Sequence, residues 1–437
     1  MQIIPEKARS GLNTARVDNG SRKIYLHSKY DPVKEAGLLI NNYEIGPGDI
    51  VVVYGAGLGY HIAEILDRVG KNGRVYIFQI GYQVFECLKK ISNLEDIVTD
   101  SRVTTIVEDD VSPLSGRLAL VLGDCGNEGI KLVVHRPSLE LLPVSANDFR
   151  AVLEDWEVKR ATYSRFSVQM EENLRDNTGM CRGLPGISRL FNRFDNVPVV
   201  LVAAGPSLDA AIPDLKRFRN ENKGMIVSVG VVLKTLLEQD IKPHLAVLTD
   251  PQEHVKVQVA GLRTDVPLII FPTVHPEVLR AYPGPKILAV PNDSSAAEKL
   301  GIGDEATVET GGSVATTMLD IVIKMGTNPV IFVGQDLGFP GGQLHTTSYV
   351  HGKVIMEQGM LLRQVMGNNG KILSTSRALD IYRKWIEERI SREEQKTFFN
   401  TALEGAVIRG TKVVQFLKII GELPQRNDDF ELIIREG

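Results

Sequence analysis

Two segments do most to fix what this chain can fold into. In DIVVVYGAGLGYHIAEILDRVG a β-rich run, Ile50 to Tyr54, ends in a glycine turn and then a helix carrying Ile62, Ile65, Leu66 and Val69. Those apolar positions fall on one helical face. In NVPVVLVAAGPSLDAA the order recurs, with a strand from Val199 to Ala203 and a helix from Asp209 to Arg219. Each segment is followed by further short apolar runs alternating with amphipathic stretches. RVYIFQI, RVTTIVED and IKLVVHRPS follow the first. Met225 to Val229, His244 to Thr249, Leu268 to Phe271, Lys286 to Val290 and Pro329 to Val333 follow the second. Strand–helix–strand alternation predicts parallel sheets with helices on both faces.

The 437 residues suffice for two to three domains with real cores. The spacing predicts an N-terminal sheet domain over 1–147 and a helical connector over 148–193. A central sheet domain over 194–351 and a mainly helical region over 352–437 follow. In that last region KVIMEQGMLLRQVMG and SRALDIYRKWIEERISREEQ both read as helices, the second with an apolar stripe of Leu379, Tyr382, Ile386 and Ile390.

Composition excludes several classes. Lys plus Arg is 50 against 54 Asp plus Glu, a net charge of −4, so the chain lacks the basic balance of a nucleic-acid binder. Three scattered cysteines, Cys87, Cys125 and Cys181, form neither a disulfide framework nor a zinc-spaced cluster. MQIIPEKARSG has no signal-peptide core, and no apolar run is long enough to span a membrane. A cytoplasmic protein without a membrane span is expected. There is no GxxxxGK[ST] loop, kinase signature, HExxH, paired CxxC or GxSxG elbow.

Four motifs carry candidate chemistry. Gly55-Ala-Gly57-Leu-Gly59 has the form of a nucleotide-binding turn. The following strand, however, ends in Gln79 where a ribose-binding acid would stand, which favours a purely structural turn. Gly205-Pro206-Ser207-Leu208 opens a helix at the first strand of the second unit, where backbone amides and the Ser207 hydroxyl suit an anion. Thr310-Gly311-Gly312-Ser313 opens another helix, and capping alone explains it equally well. Finally, Gln335 and Asp336 end a strand ahead of a polar loop carrying His345, Tyr349 and His351. A histidine there can act as a general base near neutrality. Asp250, at another strand end, could bind ribose or a metal, or simply be a solvated loop acid.

Taken in order, Leu26-His-Ser-Lys-Tyr-Asp-Pro32 with Glu35 and Ala36, YGAGLGYH, GPSLD, LTDPQE, VGQDL with a downstream histidine, and Phe398-Phe-Asn-Thr-Ala-Leu-Glu-Gly-Ala406 resemble the motility-associated factor (Maf) family of flagellin glycosyltransferases. The resemblance runs from about residue 20 to 420. It implies an α/β chain of two Rossmann-like parallel-sheet domains, the central one sialyltransferase-like, followed by a mainly α-helical C-terminal region. It further implies transfer of a nonulosonic acid, pseudaminic or legionaminic, from a CMP-activated donor to Ser or Thr of flagellin.

Carried over by motif, Gly205, Pro206, Ser207, Leu208, Gly312 and Ser313, with Thr310, would hold the CMP-sugar together with Asp250, Gln335 and Asp336. His345 would be the base, with His351 a weaker rival. Related enzymes carry Asn or Gly before the turn, where this chain has Ala203 and Ala204. No cofactor is required by this reading and no metal ligand is assigned, with Mg2+ at Asp250 left open. The central domain also resembles archaeal 6-hydroxymethylpterin diphosphokinases, which use ATP and Mg2+. A non-catalytic flagellin-binding protein would fit the same domain layout. An S-adenosylmethionine enzyme could use the Gly55–Gly59 turn, but Gln79 counts against it.

Overall fold

The Ile50–Tyr54 run is apolar at every position because both faces of its strand are covered. Val51 and Val53 enter one core with Ile62, Ile65 and Ile77, while Val52 and Tyr54 enter another with Phe78, Leu132 and Phe149. This is how a parallel strand buried on both sides reads in sequence. The computed structural model describes residues 2–18, 23–124, 130–143, 146–292, 294, 296–303, 306–343, 346 and 362–436. It divides into two units, Met1–Glu157 and Val158–Gly437, with the 35-residue helix Asn147–Cys181 crossing the division.

The first unit begins with an antiparallel sheet of β1 (Gln2–Lys7), β2 (Asn13–Asp18) and β3 (Lys23–Tyr25). A parallel sheet follows, built from β4 (Ile50–Tyr54), β5 (Arg74–Ile80), β6 (Val103–Glu108) and β7 (Ile130–Val134). Its spatial order is β6-β5-β4-β7, so the direction of winding reverses between β4 and β7.

The second unit contains β8 (Val199–Val202), β9 (Met225–Val229), β10 (Leu245–Leu248), β11 (Leu268–Ile270) and β12 (Lys286–Leu288). A small parallel pair, β13 (Val290–Pro291) and β14 (Thr307–Val308), precedes β15 (Val330–Val333). β15 joins the other side of β8. The expected strands therefore form within a residue or two of their sequence positions.

The C-terminal region contributes three helices, Arg377–Ser391, Phe416–Glu422 and Phe430–Glu436. It also contributes strands. Leu362–Met366 (β16) pairs with Ile372–Ser376 (β17), although the sequence reading places the end of a helix there. The reason is period: Leu362, Gln364 and Met366 are exposed while Arg363 and Val365 turn inward, an alternation of two and not 3.6. β18 (Phe398–Asn400) and β19 (Lys412–Val413) then extend the central sheet. The eight parallel strands lie in the order β12-β11-β10-β9-β8-β15-β18-β19. The winding reverses between β8 and β15, and in open parallel sheets the crevice outside the carboxyl ends at such a reversal is where ligands bind.

No helix among the described residues is long and apolar enough to cross a membrane.

Candidate functional site

The crevice at the β8/β15 switch point is built from two strand ends that approach very closely. The Gly205 amide donates to the Gly334 carbonyl at 2.8 Å. A Cβ on Gly205 would stand 2.1 Å from Asp336 Oδ2 and 2.5 Å from the Gly334 oxygen, so only glycine fits. Across this contact, Asp336 Oδ2 accepts the Ser207 hydroxyl at 2.7 Å and the Ser207 amide at 3.2 Å. The two Ser207 donors expected to face a ligand are therefore turned to a carboxylate of the protein itself.

Asp336 is 2% exposed, and among the described residues its Oδ1 has no hydrogen-bond partner. Burial pushes its carboxyl above the usual carboxylate value, against the opposing pull of the Ser207 bonds. The site thus offers one open, buried carboxylate oxygen at the mouth of a helix. Behind it, the Ala406 amide donates to the Asp336 carbonyl at 2.7 Å, which gives the Phe398–Ala406 segment its place in the fold. Gln335, beside it, is buried as well.

The Thr310–Ser313 turn is held mainly by itself. Ser313 caps the helix Val314–Lys324, accepting from the Thr316 amide at 3.3 Å, while Thr316 Oγ1 accepts from the Ser313 amide at 3.2 Å and the Gly311 amide at 2.9 Å. Thr310 Oγ1 accepts from Thr317 Oγ1 and from the Gly312 amide. Gly312 adopts φ +89°, and a Cβ on Gly311 would meet the Trp385 ring at 2.5 Å. Trp385 and Tyr382, both on the helix Arg377–Ser391, therefore cover this turn.

Asp250 lies just beyond β10, capping its own loop by accepting the Gln252 amide at 2.9 Å. Burial, with the Asp250 charge adding to it, raises the Tyr382 phenol above its ordinary value. A Cβ on Gly312 would stand 3.6 Å from the Tyr382 ring, so this phenol borders the turn. The sequence places Tyr382 only in the apolar stripe of its helix; its phenol at this turn is not legible there.

The polar loop after β15 returns to the same corner. The Thr346 amide donates to the Ala204 carbonyl at 3.0 Å, and its hydroxyl bonds the Asp209 carboxylate. His345, Tyr349 and His351 lie outside the described residues. A cleft of about 310 Å³ opens at the opposite end of β15 and β18, lined by Asn328, Pro329, Thr397 and Lys412. It lies away from the strand ends where ligands of such sheets bind.

In the first unit, the Gly55–Gly59 turn is closed by side chains. Gln79 Oε1 accepts the Ala56 amide at 3.0 Å, and His27 Nε2 accepts the Leu58 amide at 2.9 Å. Gln79 is therefore a brace for the turn. Among the described residues, three clustered metal-capable side chains occur only here, as His27, His61 and His135.

Residues 170–342 match the family described as 6-hydroxymethylpterin diphosphokinase MptE-like. Among solved structures, a Maf glycosyltransferase from Magnetospirillum magneticum AMB-1 aligns with 100% of this chain and 73% of its own, at 16% identity and a TM-score of 0.50. A protein-L-isoaspartate O-methyltransferase aligns with 24% of this chain and 28% of its own, at 19% identity and a TM-score of 0.17, too low to carry an argument. No curated protein matches. The chain is thus similar in fold to a Maf glycosyltransferase over its whole length, and similar in sequence to the MptE-like family over residues 170–342.

Proposed function

We propose that the second unit is a glycosyltransferase that moves a nonulosonic acid, pseudaminic or legionaminic, from a CMP-activated donor to Ser or Thr hydroxyls of flagellin. The observation that most supports this is the anchoring of Thr346 on Ala204 and Asp209, because His345 is its covalent neighbour. A base carried by that loop serves the switch-point crevice. His345 takes the proton of the attacking hydroxyl as its oxygen bonds the anomeric carbon. The bond from that carbon to the phosphate oxygen breaks, and CMP leaves with the electron pair. The sugar's own carboxylate steadies the oxocarbenium character that develops.

The donor's hydroxyls suit the open Oδ1 of Asp336, which accepts but cannot donate while ionised. Its phosphate is better placed at the first turn of the helix Val314–Lys324, near Gly312 and Ser313, than against the Asp336 charge. No metal is required when helix amides carry the phosphate charge.

A second reading is favoured by the family match over 170–342: diphosphate transfer from ATP with Mg2+. Asp250 is the carboxylate that would take the ion in that reading. The two readings separate in a transfer assay on flagellin monitored by intact mass. With the CMP-sugar, the first expects a mass increase of one sugar residue and a loss of about 10²–10⁴-fold in rate for His345→Ala. Unchanged transfer by that variant would remove His345 from its role. Turnover of ATP with a pterin, dependent on Mg2+, would replace the first reading with the second.

A further inference from the structure

We propose that His27, His61 and His135 form a binding site for one Zn2+-class transition-metal ion in the first unit, independent of the crevice in the second. The three side chains are 2%, 0% and 3% exposed, and one nitrogen from each lies within 4.8 Å of the other two. They come from three different places: the segment after β3, the helix that follows the glycine turn, and the residue after β7.

Their hydrogen bonds assign the protons. His27 Nδ1 faces Glu35 Oε2 at 3.2 Å, so that nitrogen carries the hydrogen, and Nε2 keeps a lone pair that accepts the Leu58 amide. His61 Nε2 donates to the Gly55 carbonyl at 3.0 Å. Its Nδ1 is buried and has no hydrogen-bond partner among the described residues. His135 Nδ1 lies 2.8 Å from Ser138 Oγ, a hydroxyl that can donate to it or rotate away. His27 and His61 therefore each have one N–H anchored, on a carboxylate and on a backbone carbonyl, and one nitrogen left as an acceptor. That outer arrangement is what orients histidines at a metal.

A purely structural stack does not call for it. A buried nitrogen without a partner is costly, and a metal ion supplies one.

Gly57 leaves the necessary room. A Cβ there would sit 2.6 Å from His27 Nε2 and 3.3 Å from His135 Nδ1, at φ +51°. Binding exchanges the Leu58 and Ser138 bonds for coordination and draws the nitrogens to about 3.3 Å apart, the edge of a tetrahedron with Zn–N near 2.0 Å. Three imidazoles select Zn2+ or its first-row neighbours over Mg2+ or Ca2+, which take oxygen ligands.

The test uses the full chain, stripped with a chelator and dialysed against Zn2+ or Co2+. One equivalent of bound metal by atomic absorption is expected, with a tetrahedral Co2+ absorption band and a higher unfolding temperature. Glu35→Gln keeps the fold and should weaken metal affinity about 10–100-fold. His61→Gln should abolish binding. A chain with both His345→Ala and His351→Ala should bind as before, which localises the metal. Failure to retain metal after dialysis, or binding that neither Glu35→Gln nor His61→Gln weakens, would overturn the proposal.

Discussion

The two glycine turns occupy the same topological place in their sheets and are closed by different chemistry. Gly55 follows β4 and Gly205 follows β8, each next to the point where the winding reverses. In both, the strand across that point delivers a side chain against the turn: His135 after β7 at Gly55, and Asp336 after β15 at Gly205. In the first unit the amides of Ala56 and Leu58 are taken by neutral acceptors, an amide oxygen and an imidazole. In the second, the Ser207 amide and hydroxyl are taken by a carboxylate that keeps one oxygen open.

A neutral filling closes a turn, whereas an anionic one shows that the turn attracts negative charge or accepts hydroxyls. The glycine pattern common to both turns therefore says less about function than the residue delivered from across the sheet.

The contrast breaks most sharply at Gly205. Gly205→Ala forces a Cβ into Asp336 and the Gly334 carbonyl, a buried side chain and a backbone group. A loss of about 3 kcal/mol or more is expected in urea unfolding of the chain. Near-native stability would mean that the two strand ends do not pack as described.

Asp336 separates charge from hydrogen bonding. Asp336→Ala leaves the Ser207 donors without their partner and should cost about 1–3 kcal/mol. Asp336→Asn keeps an acceptor and removes the charge. Because burial raises the native carboxyl above its unfolded value, ionised Asp336 costs stability at neutral pH, and that cost is relieved as the pH falls through the native value. The Asn variant should therefore lie closer to wild type at pH 7 than the Ala variant. Its stability should also vary less with pH over the acid range. Equal losses for Asn and Ala would assign the site's stability to the charge itself.

Gln79→Ala sharpens the comparison from the other side. It frees the Ala56 amide and should cost about 1–2 kcal/mol of stability. Flagellin transfer at a temperature where the variant is folded should not change. Loss of transfer with the fold intact would give the first turn a part in the reaction.

The smallest effect expected is at His244, whose Nδ1 accepts the Ile226 amide at 2.9 Å. Burial, with the Arg219 charge adding to it, drives the imidazole down to about 3. The folded form holds it neutral, so its contribution is complete above the unfolded value near 6.5 and is lost as the pH falls below that. His244→Asn should lose less stability than wild type between pH 7 and pH 5, measured by urea midpoints.

The strands and both glycine turns are legible in the sequence because β-branched runs, glycine and helical periodicity are local signals. The filling of the turns is not. Ser207 and Asp336 are 129 positions apart, and nothing near either residue announces the other. The histidine cluster is hidden for the same reason, each member lying in a separate motif. Its one sequence trace is that LHSKYDP, GLGYH and VVHRPS each carry a histidine at or near a strand end or turn. Leu362–Met366 is misread where methionine and leucine, good helix formers, sit at strand spacing, and pairing with Ile372–Ser376 prevails over propensity.

The account rests on the β8/β15 crevice being a nucleotide-sugar site. Isothermal titration of the full chain with CMP, and with ATP, each with and without Mg2+, tests that most directly. CMP is expected to bind with or without the metal, and Asp336→Ala to weaken it. Binding of ATP alone, and only with Mg2+, would contradict the account and assign the crevice to diphosphate transfer.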